Sequence, residues 1–336
     1  MPTVIDVAKR AGVSISTVSY AISGTRPIAA ETRQRIFQVM DELGYKPNVL
    51  ARALASKRSR IISLLFPVSK RGLGATELEF VTSATQAAQE HGYHLVLWSA
   101  ELPSPEALLD MTQQGLVDGL VMMEVHLNDA RVALLQANRF PFSLIGRCAE
   151  NEGLWYVDID FEQTMRDAAR HLLDFGHRQI AYLNQDELDS GYGPAVRTLA
   201  GFEQIMQANR LPAVTAVCDP SPLAGYVAMQ KLWADLPELT ALLVMNDRAL
   251  PGILQAIAER GRSIPDDFSL LTVVSSAQVA EMMAPPLTAM EPPAAELGRM
   301  GVELLVRQLE SQEETAVQAL MPCRLVVRGS TGPRAG

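Results

Sequence analysis

Hydroxyl side chains are concentrated at the start of the second helical pattern of the chain, within residues 3–24. Serine and threonine donate and accept hydrogen bonds, and their small size lets the N-terminus of a helix approach base edges in the major groove of DNA. The candidate DNA contacts in this part of the chain are Thr3, Ser14, Ile15, Ser16, Thr17, Ser19, Tyr20 and Arg26. The spacing alone is also typical of two amphipathic helices in any small domain, and that alternative stays open here.

Polar side chains also follow the ends of several apolar runs in the rest of the chain. An arginine can direct its forked guanidinium at hydroxyls or at a carboxylate, and an aromatic ring can stack on the face of a sugar. The candidate small-molecule contacts are Thr76, Glu77, Glu124, Arg147, Tyr192, Arg197, Asn246, Asp247 and Ser275. For each of them, a helix cap or a solvated loop is the alternative interpretation.

The sequence contains no motif that pairs a nucleophile with its base, because GxSxG, HExxH, P-loop and Cys-x-x-Cys patterns are all absent. The segment RGLGATE at 71–77 lacks the third glycine of a dinucleotide loop. Asp158 and Asp160 would share one side of a strand, but Asp160 is more simply the N-cap of the next helix. His91 and His94 lie where a helix should end and a strand begin, which disfavours a shared metal site. We therefore expect no enzyme activity, no cofactor and no metal.

Helices must present the first set of hydroxyls. Thr3 and Asp6 form a capping-box pattern, apolar residues follow at helical spacing, and Gly12 supplies a turn. Ser14 is placed to cap the second helix, and a third amphipathic pattern ends at Gly44. The inward positions of the second and third helices are Val18, Ala21, Ile22, Ile36, Val39, Met40 and Leu43. These residues predict a small three-helix core.

The segment KPNVLARALASKRSR, residues 46–60, predicts one more short helix, which Asn48 can cap. Basic side chains accompany it at Arg52, Lys57, Arg58 and Arg60. A helix this short is not stable alone in water, so we expect a binding partner to order it.

Beyond residue 60, short apolar runs alternate with amphipathic helical patterns. The runs lie at 61–66, 94–98, 119–123, 142–146, 180–183, 215–218, 241–245 and 269–274. The helical patterns lie at 77–91, 105–114, 128–138, 162–175, 196–209, 222–234 and 247–260. The alternation predicts an α/β body with two doubly wound parallel sheets. A cleft between the carboxyl ends of their strands is the expected ligand site.

Charge is divided unevenly along the 336 residues. Residues 1–60 contain ten Lys or Arg and four Asp or Glu, a net charge of +6, whereas the whole chain carries −9, which leaves −15 for the remainder. A basic head on an acidic body indicates that only the head binds phosphate groups. The length and the 48% hydrophobic content predict two or three folded units.

Three widely spaced cysteines, Cys148, Cys218 and Cys323, favour reduced thiols over a disulfide framework or a thiolate metal site. The N-terminus shows no apolar signal segment, and no apolar run reaches membrane-spanning length. We therefore expect a cytoplasmic protein with no membrane contact.

Ten segments occur in a characteristic order: AKRAGVSxxTVS, AAETRQRI, LGYKPN, LARALAS, DFGHRQIAYL, AGFEQIM, VMNDRALPGILQAI, IPDDFSLLTV, APPLTAM and LVVRGST. Together they resemble the lactose-repressor/galactose-repressor family of bacterial transcription regulators, over essentially the whole chain. The resemblance implies a helix-turn-helix DNA-binding domain at 1–46, a hinge helix and linker at 47–59, and an effector-binding and dimerisation body at 60–336. The body would have the fold of type I periplasmic binding proteins.

The resemblance also implies how the body and the hinge are organised. The chain would cross between two subdomains near 160, 290 and 319, which gives one subdomain about 60–160 and 291–318 and the other about 161–290 and 319–330. In the family the hinge helix is ordered on operator DNA, and a leucine wedges into the minor groove. The hinge residues carried over as DNA contacts are Asn48, Ala51, Leu54 and Ala55, with Leu54 as the wedge.

The resemblance places Asn246 at the start of a helix that faces the effector, and three positions depart from the family pattern. Val274 stands where many relatives carry an acid that binds a sugar hydroxyl. Thr198 stands where several relatives carry an arginine, with Arg197 one step earlier. Tyr20 replaces an arginine of some relatives, which would remove a bidentate guanine contact and alter operator preference.

The function that the resemblance implies is a transcription regulator, most simply a repressor. It would bind a near-palindromic operator as a homodimer and respond to a small-molecule effector, most simply a sugar. A cytosolic sugar-binding or nucleobase-binding protein without a DNA role is the alternative, against which the basic head and the short basic helix argue.

Overall fold

The structure is a computed structural model that describes residues 2–23, 26–45, 58–67, 72–100, 102–185, 191–311 and 315–334. Within these ranges the chain forms a three-helix head and a body with two six-stranded sheets. The predicted fold class, an all-α head and an α/β body with two doubly wound sheets, is confirmed.

The head consists of α1 (Val4–Ala11), α2 (Ile15–Ser23) and α3 (Ala30–Leu43). Gly12 adopts a left-handed conformation with φ of 67°, which turns the chain between α1 and α2, and Gly44 ends α3 in the same region. One apolar cluster closes the head; its buried members are Val7, Ala8, Ala11, Val18, Ala21, Ile36, Val39 and Met40. The head therefore has a core of its own, as the sequence predicts.

Twelve strands form the two sheets of the body. They are β1 (Ile61–Leu65), β2 (His94–Trp98), β3 (Gly119–Met122), β4 (Phe142–Ile145), β5 (Tyr156–Ile159), β6 (Ile180–Asn184), β7 (Val214–Val217), β8 (Ala241–Val244), β9 (Ser269–Val273), β10 (Thr288–Glu291), β11 (Gln318–Met321) and β12 (Arg324–Val326).

In the described part of the body, nine further helices lie between these strands. They are α4 (Ala75–Glu90), α5 (Pro105–Gln113), α6 (Ala130–Ala137), α7 (Phe161–Asp174), α8 (Gly193–Ala208), α9 (Pro222–Asp235), α10 (Leu250–Glu259), α11 (Ala277–Glu281) and α12 (Ala294–Glu310), with a 3-10 turn at Asp247–Ala249 before α10.

The first sheet has the order β11-β5-β4-β3-β1-β2, and all its neighbouring strands are parallel. The second has the order β12-β10-β9-β8-β6-β7 and is parallel except at β12, which runs antiparallel to β10. Strands β3, β4 and β8 are buried along their whole length, as expected where helices cover both faces of a parallel sheet. The carboxyl ends of the two sheets face a shared cleft.

Four strands lie outside the apolar runs that the sequence shows, namely β5, β10, β11 and β12. Strand β5 carries the ionisable Asp158, and β11 and β12 are partly exposed, so none of these three gives a continuous apolar signal. The third crossing is expected near 319, and in the structure it follows β11. Gln318–Met321 pair in parallel with Tyr156–Ile159, so the chain leaves the first sheet only after Met321.

Helix starts in the body are set by short polar side chains that accept a hydrogen bond from a backbone N–H in the first turn. These caps are Ser104, Asp129, Asp160, Ser221 and Ser276. The cap at Asp160 confirms the sequence interpretation of that residue. No helix in the described part of the chain combines the length and apolar character needed to cross a bilayer.

Candidate functional site

The turn between α1 and α2 is held by caps on both helices. The Asp6 backbone N–H donates to Thr3 Oγ1 at 3.4 Å, and the Thr3 backbone N–H donates to Asp6 Oδ2 at 2.8 Å. At the start of α2 the Thr17 N–H donates to Ser14 Oγ at 3.1 Å. Both caps that the sequence predicts are therefore present, and Thr3 and Ser14 have a structural role independent of any contact with DNA.

The remaining candidate DNA contacts of the head lie on or near α2 and are at least partly exposed. Ser14, Ile15 and Ser16 are exposed, and Ile15 keeps 47% of its surface although it is apolar. The Arg26 guanidinium lies 5.1 Å from the centre of the Tyr20 ring, within the range of a cation–π contact. The hinge candidates Asn48, Ala51, Leu54 and Ala55 lie outside the described residues.

A cavity of about 470 Å³ lies in the cleft between the two sheets. Eight of the nine predicted small-molecule contacts line it: Thr76, Glu77, Glu124, Arg147, Tyr192, Arg197, Asn246 and Asp247. The prediction is wrong for Ser275, which is completely buried and donates its backbone N–H to Met290 O at 3.2 Å. Because β9 ends before it, the chain turns Ser275 into the protein rather than into the cavity.

Two arginines and two carboxylates meet at one corner of the cavity, which we call the arginine corner (Arg147, Asp158, Glu162 and Arg197). Arg147 Nη2 donates to both carboxylate oxygens of Glu162, at 2.9 and 3.2 Å. Arg197 Nε lies 3.8 Å from Glu162 Oε1, while its Nη2 donates to Cys148 O at 2.9 Å. The corner thus joins the loop after β4, strand β5 and helices α7 and α8 through charge.

Asp158 and Glu162 are the two members of this corner that our sequence interpretation did not select as binding residues, and of the two only Asp158 lines the cavity. Asp158 is 4% exposed, and its Oδ2 faces Arg147 Nη1 at 3.8 Å, which is too long for a hydrogen bond. Burial raises the pKa of Asp158 to about 7, although the charges of Arg147 and Arg197 oppose the rise. In the sequence, the only indication of this role is that Asp158 is an ionisable residue within the otherwise apolar or aromatic segment 155–159. Its proximity to the two arginines arises only on folding.

The opposite corner, which we call the hydroxyl corner, is built around Asp247 in the 3-10 turn. Thr76 Oγ1 donates to Asp247 Oδ2 and Thr272 Oγ1 donates to Asp247 Oδ1, each at 3.3 Å. Burial raises the pKa of Asp247 to about 6. Because Thr76 lies on α4 beside the first sheet, its hydrogen bond to Asp247 spans the cleft.

Two of the predicted contacts use polar side-chain groups in hydrogen bonds within the protein. Asn246 Nδ2 donates to Cys218 O at 3.1 Å and so fixes the loop after β7. Glu77 Oε2 accepts the Gly74 N–H at 2.9 Å and caps α4. Both residues line the cavity, but the helix-cap alternative describes Glu77 well.

Further contacts connect the two halves of the body around the cavity. Tyr192 Oη donates to Glu124 Oε1 at 2.9 Å, and the Leu127 N–H donates to Gly191 O at 2.8 Å. Arg248 Nη2 donates to Gly72 O at 3.2 Å. Arg248 also lines the cavity but was not among the predicted contacts. Its position directly after Asn246 and Asp247 could have identified it.

An apolar wall forms another part of the cavity lining. Its members are Phe66, Phe80, Met123, Met245, Val273, Val274, Val279, Met282, Met283 and Leu297. Val274 adopts a left-handed conformation with φ of 58°, so the departure noted at this position places an aliphatic side chain in the lining. Thr198, the second departure, is fully buried and hydrogen-bonded to Tyr182 Oη at 2.7 Å.

Comparison with known protein families gives two matches. Residues 3–48 match the bacterial regulatory proteins of the lacI family, and residues 169–331 match the periplasmic binding protein-like domain. The chain is also 32% identical to the HTH-type transcriptional regulator DegA of Bacillus subtilis (strain 168), over 98% of either chain.

Two solved structures are similar over nearly the whole length. The lac repressor dimer bound to operator and the anti-inducer ONPF is 25% identical, with a TM-score of 0.83, and the match covers 98% of this chain and 99% of the other. The complex of the transcriptional regulator CelR with cellobiose is 26% identical, with a TM-score of 0.74, over 98% and 100%.

Proposed function

Because the chain belongs to the lacI family of bacterial regulatory proteins, we propose that it represses transcription by binding a near-palindromic operator as a homodimer and that a sugar in the cleft controls this binding. Membership makes the chain a DNA-binding transcriptional regulator with an effector-binding domain. The sugar, the contact residues and the domain limits 1–46, 47–59 and 60–336 belong to the proposal.

The DNA-binding role of α2 is supported by its exposed N-terminus. Ser14, Ile15 and Ser16 lie free of the head core, and Gly12 sets α2 at an angle to α1. A helix presented in this way can enter the major groove with its first turn. The excess positive charge of residues 1–60 supplies attraction to phosphates, and since bacterial operators lie in the cytoplasm, we place the protein's action there.

A sugar effector is supported by the size and chemistry of the cavity. Its volume of about 470 Å³ lies in the range of small-molecule sites. The arginine corner offers polar groups for hydroxyls, and the apolar wall suits the C–H faces of a pyranose ring. The similar CelR structure contains cellobiose, which makes carbohydrates the first class to test.

Dimerisation through the body is supported by exposed apolar side chains on its helices. Leu223 and Val227 on α9 are 74% and 56% exposed and lie one helical turn apart. Leu78 on α4 is 47% exposed. A two-fold dimer would cover such residues and present two DNA-reading heads, which is why we expect an operator with two half-sites.

Control by the effector follows from where the cavity lies. It separates two halves that touch through Thr76 and Asp247 and through Arg248 and Gly72. A ligand that favours one relation of these halves shifts the population of the DNA-binding conformation, and by linkage DNA changes ligand affinity equally. The observation that carries the proposal is this lined cavity between two halves of a chain whose head is a DNA reader.

The test is DNA binding by the purified full chain, followed by fluorescence anisotropy on palindromic sites from its own upstream region. We expect tight, salt-sensitive binding that one member of a sugar panel changes by at least tenfold, a coupling of about 1.4 kcal/mol. Binding of a monomer to a single half-site, or no specific binding, would contradict the proposal. Binding that no sugar alters would overturn the effector assignment alone.

The hinge assignment has its own test in Leu54→Ala, with Leu116→Ala as the control because Leu116 is 55% exposed in the body. Loss of a minor-groove wedge should weaken specific operator binding on the order of tenfold and reduce DNA bending, while salt-driven non-specific binding changes little. Equal losses on operator and random DNA would disprove the wedge.

A further inference from the structure

Three polar atoms at the arginine corner have no hydrogen-bond partner within the described residues. They are Arg147 Nη1, Asp158 Oδ2 and Arg197 Nη1. All three are buried, and all three belong to residues that line the cavity. Unpaired buried polar atoms cost free energy, so a ligand that satisfies them gains affinity at this corner.

Other polar groups around the cavity are already engaged. Asp247 accepts hydrogen bonds from two threonine hydroxyls, Asn246 Nδ2 donates to Cys218 O, and Glu77 caps α4. Each of these groups therefore already forms at least one hydrogen bond within the protein. Among the described residues that line the cavity, the buried polar side-chain atoms without a hydrogen bond all belong to the arginine corner.

Two adjacent arginines suggest an anion at first sight, but the local charges balance. Glu162 accepts a hydrogen bond from Arg147 Nη2, and its Oε1 lies 3.8 Å from Arg197 Nε. Asp158 Oδ2 lies 3.8 Å from Arg147 Nη1. Two guanidinium groups thus face two carboxylates. A ligand carboxylate or phosphate would add a negative charge next to Asp158 and Glu162, which costs free energy in a buried site.

An uncharged hydroxyl fits the three atoms better than an anion. A hydroxyl group donates one hydrogen bond and accepts others, so it can donate to Asp158 Oδ2 while its oxygen accepts from Arg147 Nη1. A second hydroxyl on the neighbouring carbon can accept from Arg197 Nη1. A pair of adjacent hydroxyls, as in a neutral sugar, therefore satisfies all three atoms with no net charge.

We propose that Asp158 is a specificity-determining residue that accepts a hydrogen bond from a vicinal diol of the effector, and that the arginine corner selects a neutral sugar over its carboxylate or phosphate derivative. This assignment rests on the proposed sugar-binding function and names the class of sugar. Asp158 accepts a hydrogen bond directly from the ligand hydroxyl, and Glu162 acts as a positioning residue for the two arginines.

The proposal predicts the direction of a pH effect. Burial raises the pKa of Asp158 to about 7, Arg147 and Arg197 oppose the rise, and Glu162 adds to it. A donating hydroxyl favours the ionised carboxylate, so a neutral sugar should bind about tenfold more tightly at pH 8 than at pH 6 and release a proton at pH 7. An anionic ligand would favour the protonated acid and show the opposite trend.

The experiment is isothermal titration calorimetry of the full chain with matched ligand sets. Each set contains a neutral sugar, its uronic or aldonic acid and its phosphate, for example galactose, galacturonate and galactose 6-phosphate, with parallel sets for glucose, ribose and cellobiose. Titration at pH 6 and 8, and at pH 7 in phosphate and in Tris buffer, gives both the affinity and the proton release. We expect a neutral member to bind at least tenfold more tightly than its charged partners.

The variants are Asp158→Asn and Asp158→Ser, with Asp167→Asn on α7 as the matched control, because Asp167 pairs at the surface with Arg170. We expect both Asp158 variants to bind the neutral sugar at least tenfold more weakly and to lose its pH dependence, while Asp167→Asn changes neither. Tighter binding of a charged member, or unchanged neutral-sugar affinity in both Asp158 variants, would overturn the diol assignment alone. Failure of every sugar to bind would overturn the sugar effector with it, whereas DNA binding is measured separately.

Discussion

Both ends of the cavity between the two sheets contain a buried aspartate with a raised pKa, but the surroundings of the two aspartates differ. Asp247 has its two oxygens satisfied by Thr76 and Thr272, one of them from across the cleft. Asp158 lies among charges and keeps one oxygen without a hydrogen bond in the described part of the chain. Both corners connect the two halves, but only the arginine corner keeps buried lining atoms without a hydrogen bond among the described residues, and this difference is why we propose that a ligand binds there.

The largest expected effect is from Arg147→Met, which keeps the bulk of the side chain and removes its charge. Asp158 and Glu162 then lose a counter-ion in a buried site, and we expect the free energy of unfolding to fall by about 2–4 kcal/mol. The measurement is urea unfolding at pH 7. Arg170→Met is the control, because its surface pair with Asp167 contributes less than about 1 kcal/mol. Equal small losses in both variants would make the arginine corner no different from the surface.

The second prediction is a rise in the free energy of unfolding, whereas Arg147→Met is expected to lower it. Burial raises the pKa of Asp158 to about 7, so the folded protein keeps the Asp158 proton to a higher pH than the unfolded chain does. The free energy of unfolding therefore falls as the pH rises from about 4 to 7 and this carboxyl group ionises. Asp158→Asn removes that loss. We expect it to raise the free energy of unfolding on the order of 1–3 kcal/mol at pH 8 and by less at pH 5.

Urea unfolding at both pH values checks this prediction, with Asp167→Asn as the surface comparison. A variant less stable than the parent at pH 8 would mean that Asp158 stabilises the fold, as an ordinary ion-pair partner does. Stability gained together with affinity lost would mark Asp158 as a residue kept for binding.

The smallest expected effect is from Asp247→Asn, which preserves shape and removes charge from the hydroxyl corner. The hydrogen bonds to Thr76 and Thr272 weaken without disappearing, so we expect the coupling between sugar and DNA to fall on the order of 0.5–1 kcal/mol. Operator binding with and without the active sugar measures this coupling. A large loss of sugar affinity with intact coupling would place Asp247 in the binding site and erase the contrast between the two corners.

Much of the fold could be predicted because the signals are local. The capping box at Thr3 and Asp6 joins residues three apart, and Gly12 and Gly44 mark turns by their own backbone freedom. The apolar runs of β1, β3 and β4 are continuous because helices bury both faces of the sheet. Strand β5 was missed for the converse reason, since Asp158 interrupts its apolar run.

The sequence predicted which residues lie at the candidate site, but not which of their polar groups are hydrogen-bonded within the protein. Position after a strand end placed six residues at the cavity, because parallel strands bring their carboxyl ends to one edge, and side-chain chemistry selected Tyr192 and Arg197 in the SGYGPAVR segment. The same rule failed for Ser275, where the chain turns inward after β9. It also could not show that the side chain of Asn246 is spent on Cys218 O. Hydrogen-bond partners of this kind are far apart in sequence, and position along the chain does not reveal them.

The sequence by itself determined the order of helices and strands, the basic head, the family resemblance and the positions from which a ligand would be bound. Each of these depends on composition or on residues close together in the chain. Only the tertiary structure decided which polar groups are satisfied and which are left for a ligand. Residues 147, 158, 162 and 197 come from a loop, a strand and two helices, and their charges face one another only when the fold brings these segments together.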